Sequence, residues 1–339
     1  MRRRHLLVSA AVLPFPARAQ QTRRVAVLTG LAEADPVTKA RLAGFREGMA
    51  ALGWREGQTL VIDVRYEPSS AERARRLAAE LTALKPDIFL AQGVPSVVAI
   101  REVSVGLPIV FLGVGDPVSA RLVESLVRPG GQTTGFTSTE PAFGAKWIEL
   151  LKEISPSTQR LLVLTQQSAG LYRPSIEQAM KQFGVEVSFA QVNSAADIET
   201  VLDGFAATAA GAGGLILPTD IFTASHRRQI IELAARHRLP LITGNPPFPP
   251  DGGLMYYGAD FVDLYVRAAG YVDRILRGAR PADLPVQQPA TFQMSINLKT
   301  AAALGLAVPP TLRARADEED GRHGGRCYSR RRAEVAVRD

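Results

Sequence analysis

Residues 106–138 read GLPIVFLGVGDPVSARLVESLVRPGGQTTGFTS, and this stretch decides the fold class. The β-branched and aromatic run at 109–111 follows turn residues and is typical of a buried strand. The strand ends in small residues and one carboxylate, Asp116, at the edge where open α/β sheets bind ligands. A short amphipathic helix is expected over 118–126. The small, polar run at 133–138 then predicts a hinge that leads into a second lobe.

The alternation of strand and helix begins at Val25 and restarts after Ser138. Strands that alternate with helices of ordinary length indicate βαβ units and a parallel sheet covered on both faces. The predicted fold class is therefore α/β, with two Rossmann-like lobes joined by a three-crossing hinge near Gly135, Gly258 and Pro281. The expected division is 20–135 plus 259–281 for lobe 1, and 136–258 plus 282–312 for lobe 2.

The two ends of the chain differ from its body. Residues 1–19 combine a basic start, an apolar run too short to span a bilayer, and small residues before Gln20, which predicts an export signal and a periplasmic location. Residues 313–339 lack hydrophobic periodicity and are expected to form a disordered tail. These ends carry most of the net charge of +7. The nearly neutral body gives no reason to expect a nucleic-acid partner.

The sequence offers no constellation for catalysis. The four histidines are scattered, the one cysteine is Cys327, and neither a zinc motif nor a nucleophile elbow is present. Gly113 and Gly115 after a strand make half of a dinucleotide fingerprint, but Val118 replaces the third glycine. We therefore expect no catalytic residues, no metal and no cofactor.

The candidate ligand-binding residues lie in loops at strand ends. Gly93 and Ser96 open a helix whose free N–H groups suit an anion, and Asp116 suits an ammonium group. Each also has a purely structural interpretation, such as a helix cap at Ser96 or a turn at Asp116. The full set consists of Gly93, Ser96, Asp116, Thr137, Ser138, Tyr172, Asp220, Phe222, Tyr256 and Tyr257.

Several segments together carry a family resemblance. They include LKPDIFLAQGVPS (84–96), LPIVFLGVGDPV (107–118), LVESLVRPGGQTTGFTS (122–138), ELAARHRLPLI (232–242) and DGGLMYYGAD (251–260). With them the chain resembles the type I periplasmic substrate-binding proteins of ABC transporters, in the tryptophan/tyrosine-type branch. The resemblance implies two lobes that close on a small solute, delivery to an inner-membrane permease, and no catalysis. The segment from Glu319 to Asp339 departs from the pattern, since relatives end soon after a RADE-like sequence.

Two alternatives compete with an exported receptor. The first is an α/β enzyme that acts on a small acidic or phosphorylated substrate in the same cleft, and it needs an acid–base pair with displaced pKa values. The second is a LacI-type regulator, which needs a DNA-binding headpiece before the first strand, where this chain has only a signal-like segment. The expected ligand is an amino acid or an aromatic compound, and the chain is expected to be a monomer.

Overall fold

The computed structural model describes residues 22–66, 70–166, 169–246 and 248–319. The predicted export signal at 1–19 lies outside the described residues, as does most of the predicted tail. No helix in the described part of the chain is both long and apolar enough to cross a membrane.

The first half of the chain alternates strands and helices. Its elements are β1 (Arg23–Thr29), α1 (Pro36–Ala51), β2 (Leu60–Tyr66), α2 (Ala71–Ala83), β3 (Ile88–Gln92), α3 (Gly93–Val103), β4 (Ile109–Val114) and β5 (Thr133–Thr137). The five strands form one parallel sheet in the order β2-β1-β3-β4-β5. Every residue of β3 is buried, as its continuous apolar run predicts for a central strand with helices on both faces.

The second half repeats the pattern around another sheet. Its elements are α4 (Phe143–Ile154), β6 (Arg160–Thr165), α5 (Arg173–Phe183), β7 (Glu186–Gln191), α6 (Ala195–Ala209), β8 (Gly213–Leu217), α7 (Ile221–Ser225), α8 (Arg227–Arg236), β9 (Leu241–Thr243), β10 (Met255–Ala259), α9 (Phe261–Leu276), β11 (Phe292–Ile296), α10 (Leu298–Ala303), α11 (Pro310–Arg315) and β12 (Glu318–Glu319). The strand order is β12-β11-β10-β9-β8-β6-β7, and only the β10–β11 pair is antiparallel. The predicted two-lobed α/β fold is confirmed.

Helix α9 returns to the first lobe and packs along α1. A Cβ atom added at Gly48 would lie 2.8 Å from the Cβ of Ala269, and one at Gly44 would lie 3.0 Å from Val262. Small residues on α1 therefore let the two helices approach closely. Their apolar faces share one buried core with β1, β3 and β4.

The chain passes between the sheets three times. The first passage follows β5 at Ser138, and the second lies between β10 and α9. The third falls later than Pro281, because Thr134 Oγ1 donates to the Leu284 carbonyl at 2.6 Å and the Gln287 N–H donates to the Gly135 carbonyl at 2.9 Å. Residues 284–287 thus lie beside β5, and the chain enters the second sheet only at β11.

Two local predictions are wrong. Residues 118–126 form turns instead of a helix: Asp116 accepts hydrogen bonds within its own loop, and Arg121 has a φ of 54°, which is incompatible with a right-handed helix. The tail does not begin at Arg313 either. The Asp317 N–H donates to the Met294 carbonyl, and β12 pairs with β11, so residues 313–319 are part of the second lobe. A strand of two residues, such as β12, is too short for hydrophobic periodicity to reveal it.

Candidate functional site

The candidate site is a cleft between the two lobes at the carboxyl ends of their parallel strands. Its volume is about 560 Å³ when the part open to solvent is counted. The lining comes from both lobes: Leu31, Arg41, Gln92, Gly93, Val94, Pro95, Gly113, Gly115 and Phe261 from the first, and Thr219, Asp220, Ile221, Ala224, Asn245 and Pro246 from the second.

The N-terminus of α3 forms part of the first-lobe wall. Gly93 begins the helix with a φ of 77°, a conformation that favours glycine, directly after the end of β3. The preceding Gln92 is fixed because its Oε1 accepts hydrogen bonds from Thr29 Oγ1 at 2.5 Å and Tyr265 Oη at 3.2 Å. Ser96 is 1% exposed, and its Oγ has no hydrogen-bond partner among the described residues. The predicted helix start therefore faces the cleft, and Ser96 lies buried one turn into it.

Arg41 supplies a positive charge that the sequence analysis missed. It lies on α1, is 3% exposed, and holds its guanidinium 4.1 Å from the centroid of the Phe261 ring. Phe261 begins α9, so the α1–α9 packing brings both side chains to the cleft. The sequence pattern that could have revealed Arg41 is a charged residue next to Leu42 and Phe45, which form the apolar face of this helix.

Asp220 carries the negative charge of the second-lobe wall. It follows β8 and caps α7, where its Oδ1 accepts from the Thr223 N–H at 2.9 Å. Its Oδ2 accepts from Thr165 Oγ1 at 3.2 Å and from the Gln166 N–H at 3.2 Å. Asn245 Oδ1 accepts from the Asp220 N–H at 3.3 Å. These bonds hold the buried carboxylate and the amide side by side on one wall.

Tyr172, Thr137 and Ser138 are buried and are not part of the cleft lining. Burial raises the pKa of the Tyr172 hydroxyl, which lies among Thr139, Thr219 and Asp220. Thr137 donates its N–H to the Gln287 carbonyl at 2.9 Å, which ties two passages of the hinge together. Ser138 is fully buried, and its Oγ has no hydrogen-bond partner in the described part of the chain.

The remaining candidates have structural contacts away from the cleft lining. Asp116 accepts from the N–H groups of Val118 and Ser119 and from Ser119 Oγ, which makes it a turn residue. Tyr256 is 2% exposed, and its Oη donates to the Ala259 carbonyl at 2.5 Å. Tyr257 packs edge-on against the Phe143 ring in the second-lobe core. Phe222 stacks near His226 with ring centroids 4.2 Å apart.

The cleft thus presents opposite charges on facing walls. Arg41 and the α3 N-terminus attract negative charge from the first lobe, while Asp220 attracts positive charge from the second. Apolar side chains such as Leu31, Ile221 and Phe261 complete the lining. Within the described ranges, no three His, Cys, Asp or Glu side chains are grouped so that they could hold a metal ion.

Comparison with solved structures gives close matches in fold. One is a domain in complex with L-Trp from Streptococcus pneumoniae, with a TM-score of 0.78 and 23% identity, over 88% of this chain and 100% of that one. A conserved domain protein from Vibrio cholerae gives a TM-score of 0.77 and 26% identity with the same coverage. The ligand-free, open structure of a substrate binding protein with adhesive properties from Clostridium difficile gives a TM-score of 0.63 and 21% identity. The match covers 85% of this chain and 97% of that one.

Sequence comparison points the same way. A Tyrosine-binding protein from Clostridioides difficile is 24% identical over 282 residues, which cover 82% of this chain and 80% of that protein. The family model for ABC transporter substrate binding proteins matches residues 24–320, which is nearly the whole described chain. The chain belongs to the ABC transporter substrate-binding protein family.

Proposed function

We propose that this protein is the exported receptor of an ABC importer, and that it closes its two lobes on an amino acid with an aromatic side chain. It delivers the ligand to an inner-membrane permease without changing it chemically. The observation that carries the proposal is the cleft with opposite charges on its two walls. A free amino acid carries one carboxylate and one ammonium group, and this charge pattern matches the cleft.

The carboxylate of the bound amino acid is assigned to a site in the first lobe. Arg41 offers a guanidinium, and the start of α3 at Gly93 offers backbone N–H groups and the positive end of a helix dipole. The buried hydroxyl of Ser96 lies on the same helix and adds a hydrogen-bond donor. Charge-assisted hydrogen bonds of this kind gain strength when closure removes water.

The ammonium group is assigned to the second lobe, where Asp220 and the Asn245 amide lie together. Phe261, Leu31 and Ile221 offer apolar surface to the side chain of the ligand. An aromatic side chain is favoured because one relative is named for tyrosine and one similar structure holds L-Trp.

Family membership favours this receptor over the α/β enzyme considered from the sequence. Residues 1–19 are proposed to direct export and to be removed near Gln20. The receptor is proposed to act as a monomer, so that both lobes are free to meet the permease.

Calorimetric titration and thermal unfolding of residues 20–339 test the proposal with four compounds. L-Tryptophan and L-tyrosine are expected to bind, whereas tryptamine lacks the carboxylate and indole-3-propionate lacks the ammonium group. A ligand at one hundred times its Kd stabilises the folded protein by about 2.7 kcal/mol. If indole-3-propionate binds as tightly as L-tryptophan, the ammonium site is wrong. If neither amino acid raises the unfolding temperature, the proposed ligand class is wrong.

A further inference from the structure

The two lobes also meet through a pair of charged side chains, Asp35 and Arg227, that are not part of the cleft lining. Arg227 begins α8 in the second lobe, and its Nη2 lies 3.0 Å from Oδ2 of Asp35 in the first lobe. Beside this pair, a Cβ atom added at Gly30 would lie 2.7 Å from Ile221 Cγ1, so the backbone of one lobe touches a side chain of the other. We propose that Asp35 and Arg227 form an interlobe latch that favours the closed conformation and thereby raises ligand affinity without ligand contact.

The two partners are held in place by their own lobes. Asp35 caps α1, and its Oδ1 accepts from the Val37 N–H at 2.9 Å, which leaves Oδ2 directed to Arg227. Arg227 Nε donates to Asp251 Oδ2 at 2.5 Å, and its Nη1 donates to the Ala224 carbonyl at 3.3 Å. Both Asp251 and Ala224 belong to the second lobe. The guanidinium is therefore oriented before the lobes meet, and closure adds only the bond to Asp35.

The burial of the pair gives the latch its strength. The side chain of Asp35 is 6% exposed and that of Arg227 is 18% exposed, unlike the surface ion pairs elsewhere on the molecule. Exposed ion pairs contribute little, whereas hydrogen bonds to charged groups in protected positions contribute more. When the lobes separate, both groups regain water, and Arg227 keeps Asp251 as a partner. The bond to Asp35 thus belongs to the closed conformation alone.

The consequence for binding follows from the closure equilibrium. A ligand that binds the closed form has an apparent Kd equal to its intrinsic Kd divided by the closed fraction. A latch that raises the closed fraction tenfold therefore lowers the apparent Kd tenfold while the closed form is rare. This inference goes beyond the proposed ligand, because the latch acts on any ligand that requires closure.

Disulfide trapping tests the latch without a ligand. The protein used is residues 20–339 with Cys327→Ser, so that no other thiol remains, and with Gly30→Cys and Ile221→Cys. These two positions approach closely enough for a disulfide only when the lobes are closed. Under a fixed concentration of oxidised glutathione, the rate of disulfide formation reports how often the lobes close. Adding Asp35→Asn is expected to lower this rate about tenfold.

The control variants separate latch loss from damage to the fold. Asparagine caps helices as well as aspartate does, so Asp35→Asn is expected to keep the unfolding midpoint of the parent. Asp63→Asn removes an ion pair with Arg24 inside the first lobe and is expected to leave the trapping rate unchanged. An equal trapping rate in the Asp35→Asn protein and its parent overturns the latch, as does a parent that never forms the disulfide. Because no ligand is added, these outcomes are independent of whether L-tryptophan binds.

Discussion

At Arg41, a guanidinium that is 3% exposed faces the cleft and covers the ring of Phe261. A charge in such a site interacts strongly with a ligand of opposite charge, because little water remains to screen the pair. Asp116 is the opposite case. Its carboxylate is satisfied by the N–H groups of its own turn and is partly exposed. The two residues therefore make a matched pair for testing the site.

We expect Arg41→Gln to weaken L-tryptophan binding by roughly ten- to a hundredfold, since a hydrogen bond to a charged group contributes about 1.5–3 kcal/mol. Asp116→Asn keeps the turn acceptor and is expected to change Kd by less than about twofold. Calorimetric titration of both variants measures the difference. If Asp116→Asn lowers the affinity for L-tryptophan and Arg41→Gln does not, the assignment of the charged residues is reversed.

The sequence could identify loop positions at strand ends, such as Gly93 and Asp220, because parallel sheets place them at one edge. It could not identify Arg41, which precedes Gly93 by a long stretch of chain and reaches the cleft only through the α1–α9 contact. Tyr256 is the converse case. Its hydroxyl is bonded inside the lobe, and no pattern of neighbouring residues distinguishes a core tyrosine from a ligand-contacting one.

The contribution of the Asp263 carboxyl to folding stability is expected to depend on pH. Burial raises the pKa of its carboxyl, and nearby Asp260 adds to this effect while Arg267, whose Nη1 lies 3.7 Å from Oδ2, opposes it. A raised pKa in the folded state favours folding below the unfolded pKa of about 3.9, and this contribution is lost as pH rises through the folded value. Asp263→Asn stays neutral, so we expect its stability to rise relative to the parent between pH 4 and pH 7.

Urea unfolding of Asp263→Asn and the parent at pH 4 and pH 7 measures this change. The expected result is a difference in unfolding free energy that favours the variant more at pH 7 than at pH 4. A difference that is constant with pH would mean that the carboxyl has the same pKa in the folded and unfolded states.

Among the secondary-structure elements, β5 is a strand that the sequence did not reveal. Its sequence, TTGFT, predicts a hinge because threonine and glycine are common in the loops that connect strands and helices. In the structure all five residues are buried, and the strand pairs with β4 at the edge of the first sheet. Gly135 permits this pairing, since a Cβ atom there would lie 2.1 Å from the carbonyl oxygen of Phe111. The close approach depends on the neighbouring strand and so is invisible in the local sequence.

We expect Gly135→Ala to lower the free energy of unfolding by at least about 2 kcal/mol, because backbone atoms of β4 cannot move away as a flexible side chain can. Gly204→Ala is the matched control. Gly204 lies inside α6 with nothing within 4 Å of an added Cβ atom, so alanine there is expected to stabilise the protein by about 0.5–1 kcal/mol. Urea unfolding measures both. Equal effects at the two positions would contradict the tight β4–β5 contact.

At the scale of the whole molecule, alternating patterns in the sequence were enough to predict two lobes and three passages between them. The exact passages depend on pairing across long distances. Residues 284–287 stay with the first lobe because Gln287 bonds to both Gly135 and Thr137. The hinge therefore consists of chain segments that support one another, and such an arrangement allows the lobes to move as units. In this structure the two lobes touch where Gly30 meets Ile221.

A larger side chain at Gly30 is expected to hinder closure of the lobes and leave the fold of each lobe intact. The added side chain of Gly30→Val would overlap Ile221 only when the lobes meet, since no residue of the first lobe lies within 4 Å of a Cβ atom at this position. Overpacking costs about 1–3 kcal/mol, and here the cost falls on the closed form alone. L-tryptophan binding should weaken by roughly five- to a hundredfold, while the unfolding free energy stays within about 0.5 kcal/mol of the parent. In a protein that already carries Ile221→Ala the overlap is absent, so adding Gly30→Val there should cause little further loss of affinity. A Gly30→Val protein that binds as tightly as the parent would mean that binding does not require this interlobe contact.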